Sequence, residues 1–254
     1  MPVIDATADL PAGRVFYRDF GGTDTPVVFL HAASGNSMLW EFQIPAFTSA
    51  GFRFVALDHR ATARGSNSSA LLADLLAKLG IDRCHLLGTA AGGGAALQFA
   101  LAHPQKLLSL VIANSIGFVL DREYLEMSER IRPTPQFAEL PLDFRELGPS
   151  YRATDAAGVA RWLALSRQGQ KSTGAKTQDG GNAEVTWAKL EVLKIPTLLL
   201  TGDADLYTPP SVLRMFRMRM RHAESMVIAE TGHSSYWENS EAFNAAVLAF
   251  LSKL

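Results

Sequence analysis

The sequence lacks what several protein classes require. Of its 254 residues one is a cysteine, Cys84. No intramolecular disulfide can form, so a disulfide-stapled secreted scaffold is excluded, and Cys84 reads as a small buried hydrophobe in the apolar run Cys84-His85-Leu86-Leu87. Neither charge sign is in excess: 24 Lys and Arg stand against 25 Asp and Glu, a formal net charge of −1. There is therefore no electrostatic footprint for nucleic acid, and the basic group Arg214, Arg217, Arg219 and Arg221 is too small to make one. No apolar run reaches the roughly 18 residues of a membrane span, and Met1 to Gly13 shows no basic segment followed by an apolar one. No spacing of His, Cys and carboxylates reads as a metal site. Gly92-Gly93-Gly94 lacks the lysine and the Ser or Thr of a phosphate loop. The expectation is a cytoplasmic enzyme or binding protein with no nucleic-acid partner, no membrane partner and no segment that specifies an oligomeric state.

What is present is a chain 48% hydrophobic and 19% charged, of a length that suits one large α/β domain. Short apolar, β-branched runs predict strands at 14–20, 27–31, 53–58, 83–88, 107–114, 196–201 and 224–228. Val27-Val28-Phe29-Leu30 and Leu107-Leu108-Ser109-Leu110-Val111-Ile112 are nearly continuous apolar, as strands buried on both faces should be. Between the runs, residues 38–50, 68–79, 91–103, 209–221 and 241–254 carry apolar positions at three- and four-residue spacing and predict helices. That alternation implies an α/β fold with a mostly parallel sheet flanked by helices. From about Phe118 to Ala188 the strand signal stops, four prolines fall between Pro133 and Pro149, and 168–182 is polar and glycine-rich. The reading is a first core part at 1–117, an inserted helical cap at 118–188 containing a loop or hairpin near 169–182, and a second core part at 189–254.

At the end of the 83–88 strand stands Gly88-Thr89-Ala90-Ala91-Gly92-Gly93-Gly94, followed at once by a helical segment. This is the frame of a nucleophile elbow, a sharp strand-to-helix turn that lifts its central side chain above the sheet. The central residue is usually serine; here it is Ala90. A histidine general base needs an acceptor on its far nitrogen to fix its tautomer. Asp205 and His233, each after a predicted strand, fit those roles.

Taken in order, the motifs resemble those of the α/β-hydrolase superfamily over essentially the whole chain. His31-Ala32-Ala33-Ser34-Gly35 resembles the oxyanion turn, Asp58-His59-Arg60 through Gly65 the loop after the next strand, and Gly88 to Gly92 the elbow. Gly202-Asp203-Ala204-Asp205 resembles the turn that presents the acid, and Gly232-His233-Ser234 the turn that presents the base. The resemblance implies a cap-bearing esterase- or lactonase-like hydrolase without a cofactor, with Ala90 at the nucleophile position, Asp205 rather than Asp203 as acid, and His233 as base. It also implies an oxyanion hole from the backbone N–H groups of Ala33 and Ala91. Some members carry the acid after the 107–114 strand, where this chain has Asn114 and Ser115 and no carboxylate. The departures are His31-Ala32 in place of His-Gly, the sequence Arg60 to Gly65, and the short interval from Asp58 to Ala90 (90 − 58 = 32).

Alanine cannot attack a carbonyl, so the chain as it stands lacks the covalent step. Three readings are open: a serine replaced by Ala90 in an ester or lactone hydrolase, a nucleophile-free enzyme using His233 and Asp205 for oxygenation or carbon–carbon cleavage, and a non-catalytic binder of a small ligand. His31 reads as structural, bonded to the backbone of its own turn. The aromatic residues Trp40, Trp162, Trp187 and Trp237 suggest a pocket for a small, apolar, carbonyl-containing substrate.

Overall fold

The computed structural model describes residues 4–22, 24–58, 68–115, 117–171 and 183–254. The expected family loop from His59 to Gly65 and most of the expected 169–182 loop lie outside them. Eight strands form one sheet: β1 Ile4–Leu10, β2 Gly13–Asp19, β3 Pro26–Leu30, β4 Arg53–Leu57, β5 Cys84–Thr89, β6 Leu107–Ala113, β7 Thr197–Gly202 and β8 Glu224–Ile228. Their spatial order is β1-β2-β4-β3-β5-β6-β7-β8. β1 pairs with β2 and β2 with β4 antiparallel; from β4 to β8 every pairing is parallel. The chain winds from β3 outward to β4, then returns to lay β5 on the other side of β3. Strand order therefore reverses between β3 and β5, and the crevice above their carboxyl ends is where such sheets hold ligands.

Alternation along β3 shows how the core is divided. Val28 and Leu30 join one apolar cluster with Leu72, Leu75 and Leu76 of helix Ser68–Lys78 and Phe99 of helix Ala91–Ala102. Val27 and Phe29 point the other way, to Phe47 of helix Gln43–Ser49 and Phe243 and Val247 of helix Ser240–Leu251. Side chains of a strand alternate between faces, so a run that is apolar at every position needs helices on both. Phe29 stacks on Phe54 with ring centroids 4.1 Å apart and meets Phe47 and Trp40 edge-on at 5.1 Å. Aromatic pairs of this kind add about 0.5–1.5 kcal/mol each beyond their buried area.

Two elements differ from the sequence reading. β1 is a strand at the sheet edge outside the expected strands: Ala6, Ala8 and Leu10 alternate with Asp5, Thr7 and Asp9, but alanine and aspartate are poor strand formers and weaken that signal, and only Ala8 is buried. The expected helix over 38–50 is divided into a 3-10 turn, Ser37–Trp40, and the helix Gln43–Ser49. Pro45 requires this, since a proline deep in a longer helix would lose a hydrogen bond and clash with the preceding turn, whereas the first turn tolerates it.

Between β6 and β7 the chain leaves the sheet through helices Arg122–Ile131, Gln136–Glu139, Leu142–Glu146, Pro149–Thr154 and Ala156–Lys171. The excursion is pinched at its base, where Val119 bridges Val185 and Leu120 N–H donates to the Val185 carbonyl at 2.9 Å. Asn36 ties it to the sheet, donating to the Leu165 carbonyl at 2.9 Å.

The close packing of the helix Ala91–Ala102 against the end of β3 yields a test. A Cβ on Gly92 would stand 2.2 Å from the Leu30 carbonyl oxygen, whereas a Cβ on Gly80, at φ +65°, would meet nothing within 4 Å. Gly80→Ala should cost only the left-handed backbone penalty, about 1–2 kcal/mol. Gly92→Ala should exceed it severalfold or fail to fold, and urea unfolding of the two variants compares them; equal losses would contradict the packing described.

Candidate active site

The elbow is built from backbone constraint. Ala90 follows β5 directly with φ 51° and ψ −118°, and helix Ala91–Ala102 starts at the next residue. Its N–H donates to the Ala113 carbonyl at 3.0 Å, which holds the turn against β6. A Cβ on Gly88 would fall 2.2 Å from the Gly92 oxygen. Only glycine at both ends of the frame lets strand, turn and helix pack this tightly.

Asp205 and His233, the expected acid and base, come from the next two strand ends. Beyond β7, Asp205 lies in a turn and is 2% exposed; beyond β8, Glu230 takes a left-handed φ of 59° and Thr231 and Gly232 bring His233 back over the sheet. His233 Nδ1 stands 2.9 Å from Asp205 Oδ1 and 3.0 Å from Oδ2. A carboxylate can only accept, so Nδ1 carries the proton and Nε2 keeps its lone pair. Burial works against the charge on Asp205, yet the facing imidazole, the Thr208 hydroxyl and the Asn114 amide hold its carboxyl below the usual range. For His233, burial lowers the pKa and the Asp205 carboxylate more than offsets it, so the imidazole sits above its ordinary 6.5. Asp203, the competing carboxylate, is exposed.

The rest of the acid's shell has no family signature in the sequence. Asn114 Nδ2 donates to Asp205 Oδ2 at 3.0 Å and to the Gly232 carbonyl at 3.1 Å. Tyr207 N–H and Thr208 N–H donate to Oδ1 at 2.7 and 3.0 Å, and the Thr208 hydroxyl donates to Oδ2 at 2.6 Å. The Tyr207 ring then lies against the imidazole, with centroids 4.2 Å apart and planes 31° apart. Asn114 was visible in the sequence only as the absence of a carboxylate; the observable hint was its place after β6, next to the strand that presents the acid.

Glu238 holds the histidine turn from below. Its carboxylate accepts from Gly232 N–H at 2.9 Å, Ser234 N–H at 3.2 Å and, across the interface with the excursion, Gly148 N–H at 2.6 Å. Burial pushes this carboxyl up to about 7 while the backbone donors pull it down.

Above the strand ends is a cavity of about 360 Å³. Ala32, Ala33 and Ser34 after β3, Ala90, Ala91 and His233 line it from the sheet side. Ala91 is the first residue of its helix, where a backbone N–H has no intrahelical partner. The structure thus gathers Ala33, Ala90, Ala91 and His233 around one space, with Asp205 behind His233. His31, beside it, has Nδ1 2.7 Å from the Ala32 carbonyl. Among the described residues no cluster of three or more His, Cys and carboxylate groups could hold a metal ion.

The tryptophans expected to shape the pocket do not line it. Trp40, Trp162 and Trp237 belong to the apolar cluster on one face of the sheet, and Trp187 packs on the opposite face against Tyr124 and Phe216. All four are at most 4% exposed. An indole carries the largest apolar area of any side chain, and burying it stabilises the fold more than lining a small cavity would. The excursion contributes Phe118, Leu142, Arg132, Arg145 and Glu146 instead.

Comparison with known proteins agrees with this geometry. Residues 25–240 match the family described as the alpha/beta hydrolase fold. A 2-hydroxy-6-oxononadienedioate/2-hydroxy-6-oxononatrienedioate hydrolase from Pseudomonas sp is 25% identical, covering 98% of this chain and 96% of the relative. Two solved structures share the fold. The enol-lactonase from Burkholderia xenovorans LB400 has a TM-score of 0.76 at 18% identity, covering 97% of this chain and all of that one. A thermophilic esterase from Thermogutta terrifontis has a TM-score of 0.75 at 22% identity, covering 100% of this chain and 99% of that one. The chain, matched over more than four-fifths of its length and carrying its strand order, elbow and histidine turn in sequence, belongs to the alpha/beta hydrolase fold family.

Proposed function

We propose that this site is built to hydrolyse a small carboxylic ester or lactone through a serine at position 90, and that the chain with Ala90 binds such a carbonyl compound but lacks the covalent step. The backbone at Ala90 carries this reading. A non-glycine residue at φ 51° and ψ −118° lies outside even the left-handed helical well and costs on the order of 1–3 kcal/mol, a strain that is kept where a side chain must stand above the sheet. In a form with serine there, Asp205 would hold His233 in the tautomer that accepts a proton on Nε2. His233 would take the hydroxyl proton as the oxygen attacks the carbonyl, and return it to the leaving group. The N–H groups of Ala33 and Ala91 would bind the negative oxygen of the tetrahedral intermediate, and water would then release the acid by the same steps in reverse. With Ala90 the donors still polarise the carbonyl and nothing attacks it. The cavity volume, near the low end of ligand pockets, suits a small substrate.

A second reading, carbon–carbon cleavage, is favoured by the Pseudomonas relative, which is similar over nearly the whole chain and whose name gives a 2-hydroxy-6-oxo dioate, a substrate without an ester bond, as what it hydrolyses. Here His233, its Nε2 free to accept, would act as the base without a nucleophile at position 90.

The two readings separate by assay. Ala90→Ser should raise p-nitrophenyl butyrate hydrolysis on the order of 10³-fold or more, and His233→Ala in that background should return it to the starting level. If Ala90→Ser stays inert on a panel of short esters and lactones, the ester reading fails; turnover of a 2-hydroxy-6-oxo acid by the chain with Ala90, lost in His233→Ala, would establish the second. Because the neutral imidazole is the base and its pKa is raised, kcat/KM of Ala90→Ser should fall as pH drops through a midpoint above 6.5. A midpoint at or below 6.5 would contradict the Asp205 contact as the dominant influence.

A further inference from the structure

Ester hydrolysis leaves two cations in the cavity without a use. Arg132 and Arg145 line it from the excursion. Arg145 Nη1 donates to the Tyr207 hydroxyl at 3.2 Å, and the Arg132 guanidinium carbon lies 5.8 Å from the Tyr207 ring centroid. That ring is the one packed on His233. Both guanidinium groups therefore stand within about one tyrosine side chain of the base. Each also has a buried Nε–H with no hydrogen-bond partner among the described residues. Arg132 donates to the Ser128 hydroxyl, but no carboxylate lies within ion-pair distance of either arginine among the described residues.

Buried guanidinium donors left unpaired are costly, and two in one cavity call for an acceptor with fork geometry. Glu146 lines the same space and faces Arg145, while Arg132 feels Asp205 and Glu129 without forming an ion pair to either. Burial, however, pushes the Glu146 carboxyl up toward the uncharged form against the pull of His233, Arg145 and Tyr207, and its Oε2 has no hydrogen-bond partner. Asp205 is already committed to His233, Asn114 and Thr208. The cavity is thus positive on the excursion side and lined by small residues on the sheet side.

We propose that Arg132 and Arg145 form a carboxylate-binding subsite, so that the substrate is a small carbonyl compound carrying a terminal carboxylate. Its carbonyl lies toward Ala33 and Ala91 and its carboxylate between the two guanidinium groups; only the carbonyl's placement rests on the hydrolytic reading above. This narrows the apolar substrate expected from the tryptophans to an acidic one with a short apolar middle.

The chain with Ala90 tests the subsite without turnover. Calorimetric titration with 4-oxopentanoate and with its uncharged methyl ester should show the acid binding at least about tenfold more tightly, since only the acid can form charge-assisted pairs with the two guanidinium groups. Arg132→Gln and Arg145→Gln should each reduce that acid-to-ester ratio about tenfold. Arg→Lys at the same positions, which keeps the charge and loses the fork, should fall between and guards against loss of fold. Equal binding of acid and ester, or a ratio unmoved by the arginine variants, would overturn the subsite. The hydrolytic reading is scored separately, with mono-p-nitrophenyl glutarate and p-nitrophenyl butyrate in Ala90→Ser. Failure of both esters there removes the reading and leaves the titration to decide the subsite, whereas cleavage of both at equal kcat/KM overturns the subsite alone.

Discussion

A single buried negative charge sets the terms for the upper half of this molecule. Asp205 is 2% exposed, and removing a carboxylate from water costs several kcal/mol unless donors replace the lost hydration. Those donors come from separate stretches of chain: Asn114 at the end of β6, Tyr207 and Thr208 in the acid's own turn, and His233 after β8. Each must arrive at one point, which requires β6, β7 and β8 to run parallel with their carboxyl ends on the same side, as their pairing shows. Asn114 adopts φ 48° to aim its amide inward, and Glu230 adopts φ 59° to turn the chain back. The electrostatic demand of one side chain is thereby shared by backbone conformation at several others.

The elbow and the acid–base pair are built on different physics. At Ala90 the constraint is steric: Gly88 and Gly92 admit a turn whose backbone approaches the Leu30 and His31 carbonyls, and the central residue accepts strain. At His233 it is electrostatic, and the imidazole is drawn toward its charged form by a partner that never leaves. The two meet in a space walled by alanines on the sheet side and by arginines on the other. A pocket of that kind orients a molecule end to end, polar terminus outward and carbonyl inward.

The parts legible in the sequence were those whose cause is local. β3 and β6 announce themselves because burial on both faces demands unbroken apolar runs, and the elbow because its glycines stand in one short stretch, Gly88 required by Gly92 within the turn even though Gly92 is required by the distant Leu30 and His31 carbonyls. β1 is not legible: an edge strand with one buried residue, Ala8, needs no apolar alternation beyond small side chains. The 3-10 break before Gln43 was hidden because apolar spacing is the same on both sides of Pro45. The tryptophans read as pocket residues from the sequence, which reports that a residue is apolar but not which space it fills. The cavity's arginines were invisible for a related reason. Arg132, just past the helix Arg122–Ile131, and Arg145, in the helix Leu142–Glu146, sit among other charged residues, and only the fold distinguishes an arginine turned inward from one on a solvated face.

Glu238 fastens the histidine turn to the excursion by accepting from Gly232 and Ser234 on one side and Gly148 on the other. A Cβ on Gly148 would stand 2.8 Å from the Gly232 nitrogen, so the two backbones touch where the carboxylate joins them. The excursion is consequently no interchangeable module. Exchanging it for an insertion from another member of the family, as a route to new specificity, would remove a hydrogen-bond donor and a point of contact from the loop that carries the base. Any such graft has to bring its own glycine and free N–H to that one place, or His233 loses its seat along with the old pocket.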